Sequence, residues 1–454
     1  MRRLVFLLLQ SLLVFTSVTV IADHDVTRRT LVAFVDASII PMDSSRVLTG
    51  HTVIVQGDRI TQLGPKEEVM VPAEAFVVRA SRKYLMPGIA EMHGHLPEVG
   101  APAGLVESVL FLYLANGVTT VRGMKGSPGQ LELRERVNRG EIVSPTLYLA
   151  GPGLGDWIRS ADEAERRVRE EKAAGWDLLK VHPGLTREAY DAMVRTAREV
   201  GMRFGGHIPA EVGLLHALEM RQETIEHLDG YLEYLDGYKR SVDQRDLDAI
   251  ARRTREAGVW IVPTMSVVQA ALGLVPIDTL RGYPELKYLP MAQVKEWTDL
   301  YQQRIYPTLP DKPVREQAIA NRRRLVKALS DNGVRILFGT DSPQLFNVPG
   351  FSIHREIGLM AGAGMAPCEI LRSATKNVGE YFRDKDKFGT ITVGSRADLI
   401  LLEKNPLKGI ANIANPLGVM VRGRWLSQED IRKKLTAISQ QPSGEASKAS
   451  KSES

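Results

Sequence analysis

Two patterns of apolar positions divide the chain. Over residues 30–84 the apolar positions come in short β-branched runs: Thr30–Ile40, His51–Val55, Ile60–Leu63 and Phe76–Ala80. Gln56-Gly57-Asp58-Arg59 separates the second run from the third and reads as a hairpin turn. From Leu85 on, short apolar runs alternate with amphipathic stretches. The runs are Gly88–His93, Val118–Arg122, Thr146–Ala150, Leu178–Val181, Phe204–His207, Thr224–His227, Trp260–Pro263 and Ile336–Thr340. Between them lie helix candidates such as Ala161–Ala174, Arg187–Val200, Gln244–Ala257 and Glu316–Asn332. In Arg187–Val200, Ala189, Met193, Ala197 and Val200 fall on one face at helical spacing. Eight strand–helix units predict an α/β fold, a (β/α)8 TIM barrel. Strand-like runs return in Gly389–Leu402 and Gly418–Trp425. They are expected to rejoin the N-terminal strands in one small composite β-sandwich, with the barrel as an insertion.

The expected boundaries are 23–84 and 389–430 for the composite β-domain and 85–388 for the barrel, with a disordered tail over 431–454. Ser439–Ser454 is rich in Ser, Lys, Gln and Glu and has little apolar surface to bury. Another segment breaks the alternation. Residues 273–315 carry Tyr283, Tyr288, Trp297, Tyr301, Tyr306, Pro307 and Pro310. Long connections in compact domains are usually functional or disordered, and this one is too aromatic for disorder. It is expected to form a lid over the strand ends; a structural excursion or a homo-oligomer contact is the alternative.

Composition changes the picture at one end only. The 454 residues are 44% hydrophobic and 25% charged, ordinary for a globular protein. Lys plus Arg less Asp plus Glu is 59 − 54 = +5, without a basic stripe interleaved with aromatics, so nucleic acid is not an expected partner. At the N-terminus Arg2 and Arg3 precede the apolar run Leu4–Leu9, continued by Leu12–Phe15 and then Val20-Ile21-Ala22. This reads as a signal peptide, 1–22, cut after Ala22, and places the mature chain in the periplasm or outside the cell. An uncleaved anchor is the alternative. No later stretch is long enough to span a membrane. Cys368 is the single cysteine, so no intrachain disulfide can form.

The candidate chemistry lies at the ends of the barrel runs, where barrels place their active sites. His93 and His95 are two apart on a strand, so their side chains face the same way and can reach one ion. His207 and His227 each end a run and complete a nitrogen set suited to Zn²⁺. Asp341, after the eighth run, can bind a metal and take a proton from bound water; an N-cap role is the alternative. Lys180 ends the apolar run Leu178-Leu179-Lys180-Val181. Burial lowers a lysine's pKa, and a neutral amine can take up CO₂ as a carbamate, an anionic oxygen donor able to bridge two cations. A lysine snorkelling to solvent or paired with a carboxylate is the alternative. His182, two residues beyond Lys180, Tyr231, four beyond His227, and His354 are candidates for contact with substrate or oxyanion.

Several segments together resemble the metal-dependent amidohydrolase superfamily: Met86-Pro-Gly-Ile-Ala-Glu-Met-His-Gly-His95, Gly117-Val-Thr-Thr-Val-Arg122, Leu179-Lys-Val181, Gly206-His207, Ile225-Glu-His227, Gly339-Thr-Asp-Ser342 and Gly394-Ser-Arg-Ala-Asp-Leu399. The similarity is nearest to the branch of imidazolonepropionase-like proteins and the carbamylated-lysine dipeptidases that act on Xaa-Pro or related dipeptides. It implies that His93, His95, Lys180, His207, His227 and Asp341 hold two metal ions, zinc or another divalent cation. It also implies hydrolysis of an amide or peptide C–N bond in a small substrate, a dipeptide or N-acyl amino acid. A mononuclear cyclic-amide hydrolase with Lys180 unmodified, and an inactive barrel serving as a binding protein, are the competing readings. Two positions depart from the family pattern: Glu91 stands where Asp is frequent, and Gly123 follows Arg122 where Asp is frequent.

Overall fold

A computed structural model describes residues 31–98, 101 and 104–440. The signal-peptide segment 1–22 and the end of the tail, 441–454, lie outside the described residues. Fifteen strands follow in chain order. β1 (Leu31–Ile39), β2 (Leu48–Gln56), β3 (Arg59–Pro65), β4 (Phe76–Arg79) and β5 (Tyr84–Pro87) come first. Next are β6 (Ile89–Gly94), β7 (Val118–Gly123), β8 (Thr146–Leu149), β9 (Leu178–Val181), β10 (Arg203–Gly206), β11 (Thr224–Glu226) and β12 (Trp260–Val262). β13 (Leu399–Leu402), β14 (Gly418–Val421) and β15 (Arg424–Ser427) close the series.

The two ends of the chain share one sheet, in the order β15-β14-β13-β5-β1-β2-β3, with β4 also on β1. The join is antiparallel, Leu399 opposite Pro87 and Leu402 opposite Tyr84. Asp36, at φ +61°, bends β1, so Val32–Val35 pair with β4 while Ser38 and Ile39 pair with β5. Val32, Phe34, Val53 and Val55 from one end pack with Leu399, Leu401 and Met420 from the other. Tyr84–Pro87 belongs to this sheet, so the barrel starts a few residues later than the sequence pattern placed it. The chain crosses over at Gly88, where a Cβ would come within 2.1 Å of Thr119.

The barrel strands form two parallel sheets, β6-β7-β8 and β9-β10-β11-β12. Isolated parallel bridges Ala150–Leu178 and Leu154–Val181 join them at one seam. At the other seam the segment 336–342 takes the eighth place without becoming a regular strand. Ile336 bridges Ile261, Ser342 bridges Gly94, and the Met92 amide donates to the Phe338 carbonyl at 2.8 Å. The reason is a side chain. Glu91 accepts from the amides of His93 and Thr340 (3.0 and 2.8 Å) and from the Thr340 hydroxyl (2.6 Å), which replaces part of the strand ladder. Helices such as Ala161–Ala174, Arg187–Glu199, Gln244–Ala257 and Lys312–Asp331 alternate with the strands.

Two expectations change. The stretch 431–439 is helix, not tail: Gln428–Ser439 starts at Ser427, whose hydroxyl takes the Asp430 amide while Asp430 returns the bond. Ile431, Leu435 and Ile438 fall on one face and pack with Phe111 and Leu112. The aromatic segment 273–315 is a packed block of short helices. Trp297 meets Phe346 edge-on at 5.8 Å and Tyr288 stacks on Phe351 at 5.1 Å. No helix among the described residues is long and apolar enough to cross a membrane.

Candidate metal centre

The six candidate ligands line one cavity of about 440 Å³ at the strand ends. His93 and Lys180 are buried, while His95, His207 and Asp341 are partly open to the cavity. Asp341 Oδ1 lies 2.8 Å from His95 Nε2 and 3.6 Å from His93 Nε2. The rings of His93 and His227 stand 4.5 Å apart, and those of His207 and His227 4.8 Å. Ligand atoms of His93, His227 and Asp341 all fall within 4.8 Å of one another.

The other nitrogen of three imidazoles is held from behind. His93 Nδ1 donates to Glu226 Oε2 at 2.7 Å, and His207 Nδ1 to Asp229 Oδ2 at 2.7 Å. His227 Nδ1 bonds the Thr264 hydroxyl at 2.6 Å. The two carboxylate bonds need the proton on Nδ1, and a neutral ring held that way presents its Nε2 lone pair to a metal; the Thr264 hydroxyl can act as donor or acceptor toward His227. Glu226 is itself held by Arg122 at 2.7 Å and the Thr224 hydroxyl at 2.6 Å. Arg122 is fully buried and also donates to the Met92 carbonyl at 2.6 Å.

Burial sets the charge states. It holds His93 and His227 well below the usual imidazole range, so both are neutral, with Lys180 and the neighbouring rings acting in the same direction. Burial lowers Lys180 to about 8, against the opposing pull of Glu226 and Asp341. The Lys180 amine has an imidazole nitrogen, His93 Nε2 at 3.4 Å, as its hydrogen-bond neighbour. Three left-handed non-glycine residues, His227, Thr264 and Asp341, at φ +58°, +43° and +63°, sit in this centre. Such strain persists only where the surroundings impose it, and it concentrates at functional sites.

The substrate-contact candidates divide. His182 lines the cavity. Its Nε2 is buried without a partner, while its ring bonds the Pro152 carbonyl, and burial lowers its pKa to about 3. Tyr231 does not reach the cavity: it is fully buried and its hydroxyl meets Thr254 at 2.7 Å. The left-handed turns at His227, Leu228 and Gly230 break the helical relation that four-residue spacing assumes. His354 sits on the helix Ser352–Gly362 and bonds Asn116 at 3.1 Å, outside the cavity lining. The aromatic segment 273–315 supplies no lining residue either, so it does not cover the metal cavity. Sequence reasoning missed Glu226, Asp229 and Thr264. Glu226 was findable, because Thr224 and Glu226 alternate inward on β11.

Imidazoles held at Nδ1, a carboxylate and a buried amine fit a divalent ion with nitrogen and oxygen preference. The sequence profile of the Amidohydrolase family matches residues 84–426. The chain belongs to this family. A 5-methylthioadenosine/S-adenosylhomocysteine deaminase of Caldanaerobacter subterraneus subsp. tengcongensis is 23% identical over 403 residues, 82% of this chain and 84% of that protein. Among solved structures, a bottromycin amidohydrolase superposes with TM-score 0.72 at 24% identity, covering 91% of this chain and 92% of its own. A putative prolidase from Bifidobacterium longum gives 0.67 at 22%, covering 90% and 98%. A Xaa-Pro dipeptidase gives 0.66 at 20%, covering 87% and 100%. These structures share the amidohydrolase fold, a TIM barrel carried by a β-domain. As an amidohydrolase the chain is a metal-dependent hydrolase acting on carbon–nitrogen bonds.

Proposed function

We propose that this amidohydrolase is binuclear, holds zinc, and cleaves the amide bond of a dipeptide or N-acyl amino acid outside the cytoplasm. The observation that carries the reading is Lys180: a buried amine, lowered to about 8, set against an imidazole nitrogen. A neutral amine there adds CO₂ to form a carbamate and releases one proton. The product is an anion where an ammonium would repel a metal. His93, His95, His207, His227, Asp341 and the Lys180 carbamate would hold the two ions. Bound divalent ions supply a water of lowered pKa and polarise the scissile carbonyl. Asp341, touching His95 and close to His93, accepts the proton of the attacking water and delivers it to the leaving nitrogen. His182, in the cavity lining, makes contact with the substrate. Val267, Val268, Ala271 and Leu345 give the cavity an apolar wall, and Lys125, paired with Glu98 at 3.1 Å, stands in its lining as the cation for which a substrate carboxylate would compete. Export rests on the Arg-Arg, apolar-core and Val-x-Ala pattern of the first residues.

One observation favours a mononuclear reading. His93, His227 and Asp341 already form a compact three-ligand group without Lys180. The deciding experiment is a turnover screen over dipeptides and N-acyl amino acids on wild type and Lys180→Ala. The binuclear reading expects hydrolysis by wild type and loss in the variant. Full activity in Lys180→Ala would leave the mononuclear reading standing.

A further inference from the structure

A second cavity, of about 180 Å³, lies beside the metal cavity. The short helix Met265–Ala271 is the partition between them: Val267, Val268 and Ala271 face the metal side, and Ser266, Gln269 and Ala270 face the other. Leu345 lines both cavities. The far wall is the helix Ser352–Gly362, with Arg355 and Gly358.

Three features mark this space as built to be occupied. Gly358 sits inside a helix, where glycine is the costliest residue after proline. A Cβ at Gly358 would meet nothing within 4 Å, so packing does not require the glycine. Gly358 is exposed, so it lies at the mouth of the space and leaves that mouth open. Next, Arg355 is fixed over the Tyr283 ring at 4.0 Å and paired with Glu285, yet its Nε is buried without a partner. Last, the walls connect to the metal ligands. Asn347, in the lining, donates to the Thr340 carbonyl at 2.9 Å, one residue before Asp341. Glu356 takes the amides of Met265 and Ser266 at 2.8 Å each, directly after Thr264, the partner of His227.

We propose that this cavity is a second binding site, for a small apolar group of about one aromatic ring bearing one hydrogen-bond acceptor. The ring fills the space beside Ala270 and Leu280, and the acceptor lies on the polar side of the lining, by Gln269, Asn347 and Arg355. An apolar cavity of about 150 Å³ is large enough for benzene, so the size fits. The group is either the distal side chain of a substrate reaching past Leu345 or a separate small molecule. Binding is read without turnover, so the site stands or falls apart from the catalytic reading.

The test uses benzyl alcohol and the full mature chain loaded with zinc. Saturable binding with a Kd of about 1 mM is expected by ligand-observed NMR. Gly358→Leu obstructs the mouth of the cavity from the helix side and improves helix propensity, so it should fold and keep its zinc while weakening binding at least tenfold. Ala270→Phe, from the opposite wall, repeats the test. Hydrolysis then separates the two sources. A substrate side chain in the site predicts that Gly358→Leu raises KM for a phenylalanyl dipeptide and not for an alanyl one. A separate ligand predicts that both dipeptides respond alike and that benzyl alcohol changes wild-type KM only. Equal benzyl alcohol binding by wild type and both variants, or none by wild type, would overturn the proposal.

Discussion

At the scale of the residue, Lys180 and Glu226 carry the account. Removing the amine with Lys180→Ala should lower kcat by a factor of about 10³ or more, the range of a lost electrostatic group. Bicarbonate with a short carboxylic acid should restore part of it by replacing the carbamate oxygens. Glu226→Gln keeps the volume but removes the charge that holds His93 Nδ1–H and Arg122. Zinc affinity should fall about 10–100-fold, read by competition with a chelator and independent of turnover. That His93, His95, Lys180, His207, His227 and Asp341 share one cavity was legible because each lies at the end of an apolar run. Their partners were not, apart from Glu226. Asp229 and Thr264 lie in turns whose direction the left-handed residues decide, and one-dimensional spacing does not carry that. The same turns defeated Tyr231.

At the scale of the element, buried carboxyls set a pH dependence. Glu171, on the helix Ala161–Ala174, accepts the Gly153 amide at 2.8 Å and leaves its other oxygen without a partner. A Cβ on Gly151 would come within 2.0 Å of that oxygen, so the glycine lets the carboxyl sit there. Burial pushes Glu171 up to about 7. Its folded pKa exceeds the ordinary value of 4.5, so its contribution is fully present below pH 4.5 and lost as pH rises through 7. That loss is roughly 2–3 kcal/mol. Denaturation of wild type at pH 5 and pH 8 should show the decline, and Glu171→Gln should flatten it; an unchanged slope would remove Glu171 as its source. The aromatic segment tests differently. Trp297 is buried against Phe346, so Trp297→Ala should cost about 3–5 kcal/mol and lower the thermal midpoint with zinc content unchanged. A fall in turnover without loss of stability would restore a lid role. Aromatic content showed that this segment is ordered, but not which surface it packs on. The eighth strand was legible as an apolar run, while its loss of regular pairing depends on one carboxyl, Glu91.

At the scale of the whole molecule, strands from both ends of the chain meet in one sheet, so the barrel is an insertion whose two exits lie side by side. That much followed from the return of strand-like runs after Gly389. The barrel in turn brings groups from His93 to Asp341 into one cavity, with burial lowering the pKa values of His93, His227 and Lys180 and with Glu226, Asp229 and Thr264 holding three of the rings. The central claim is that this centre holds two ions across a modified Lys180. It is tested most directly by the metal-to-protein ratio of the protein, purified with zinc and bicarbonate and dialysed free of loose metal. The account predicts a ratio near two for wild type; a ratio of one or below would contradict it.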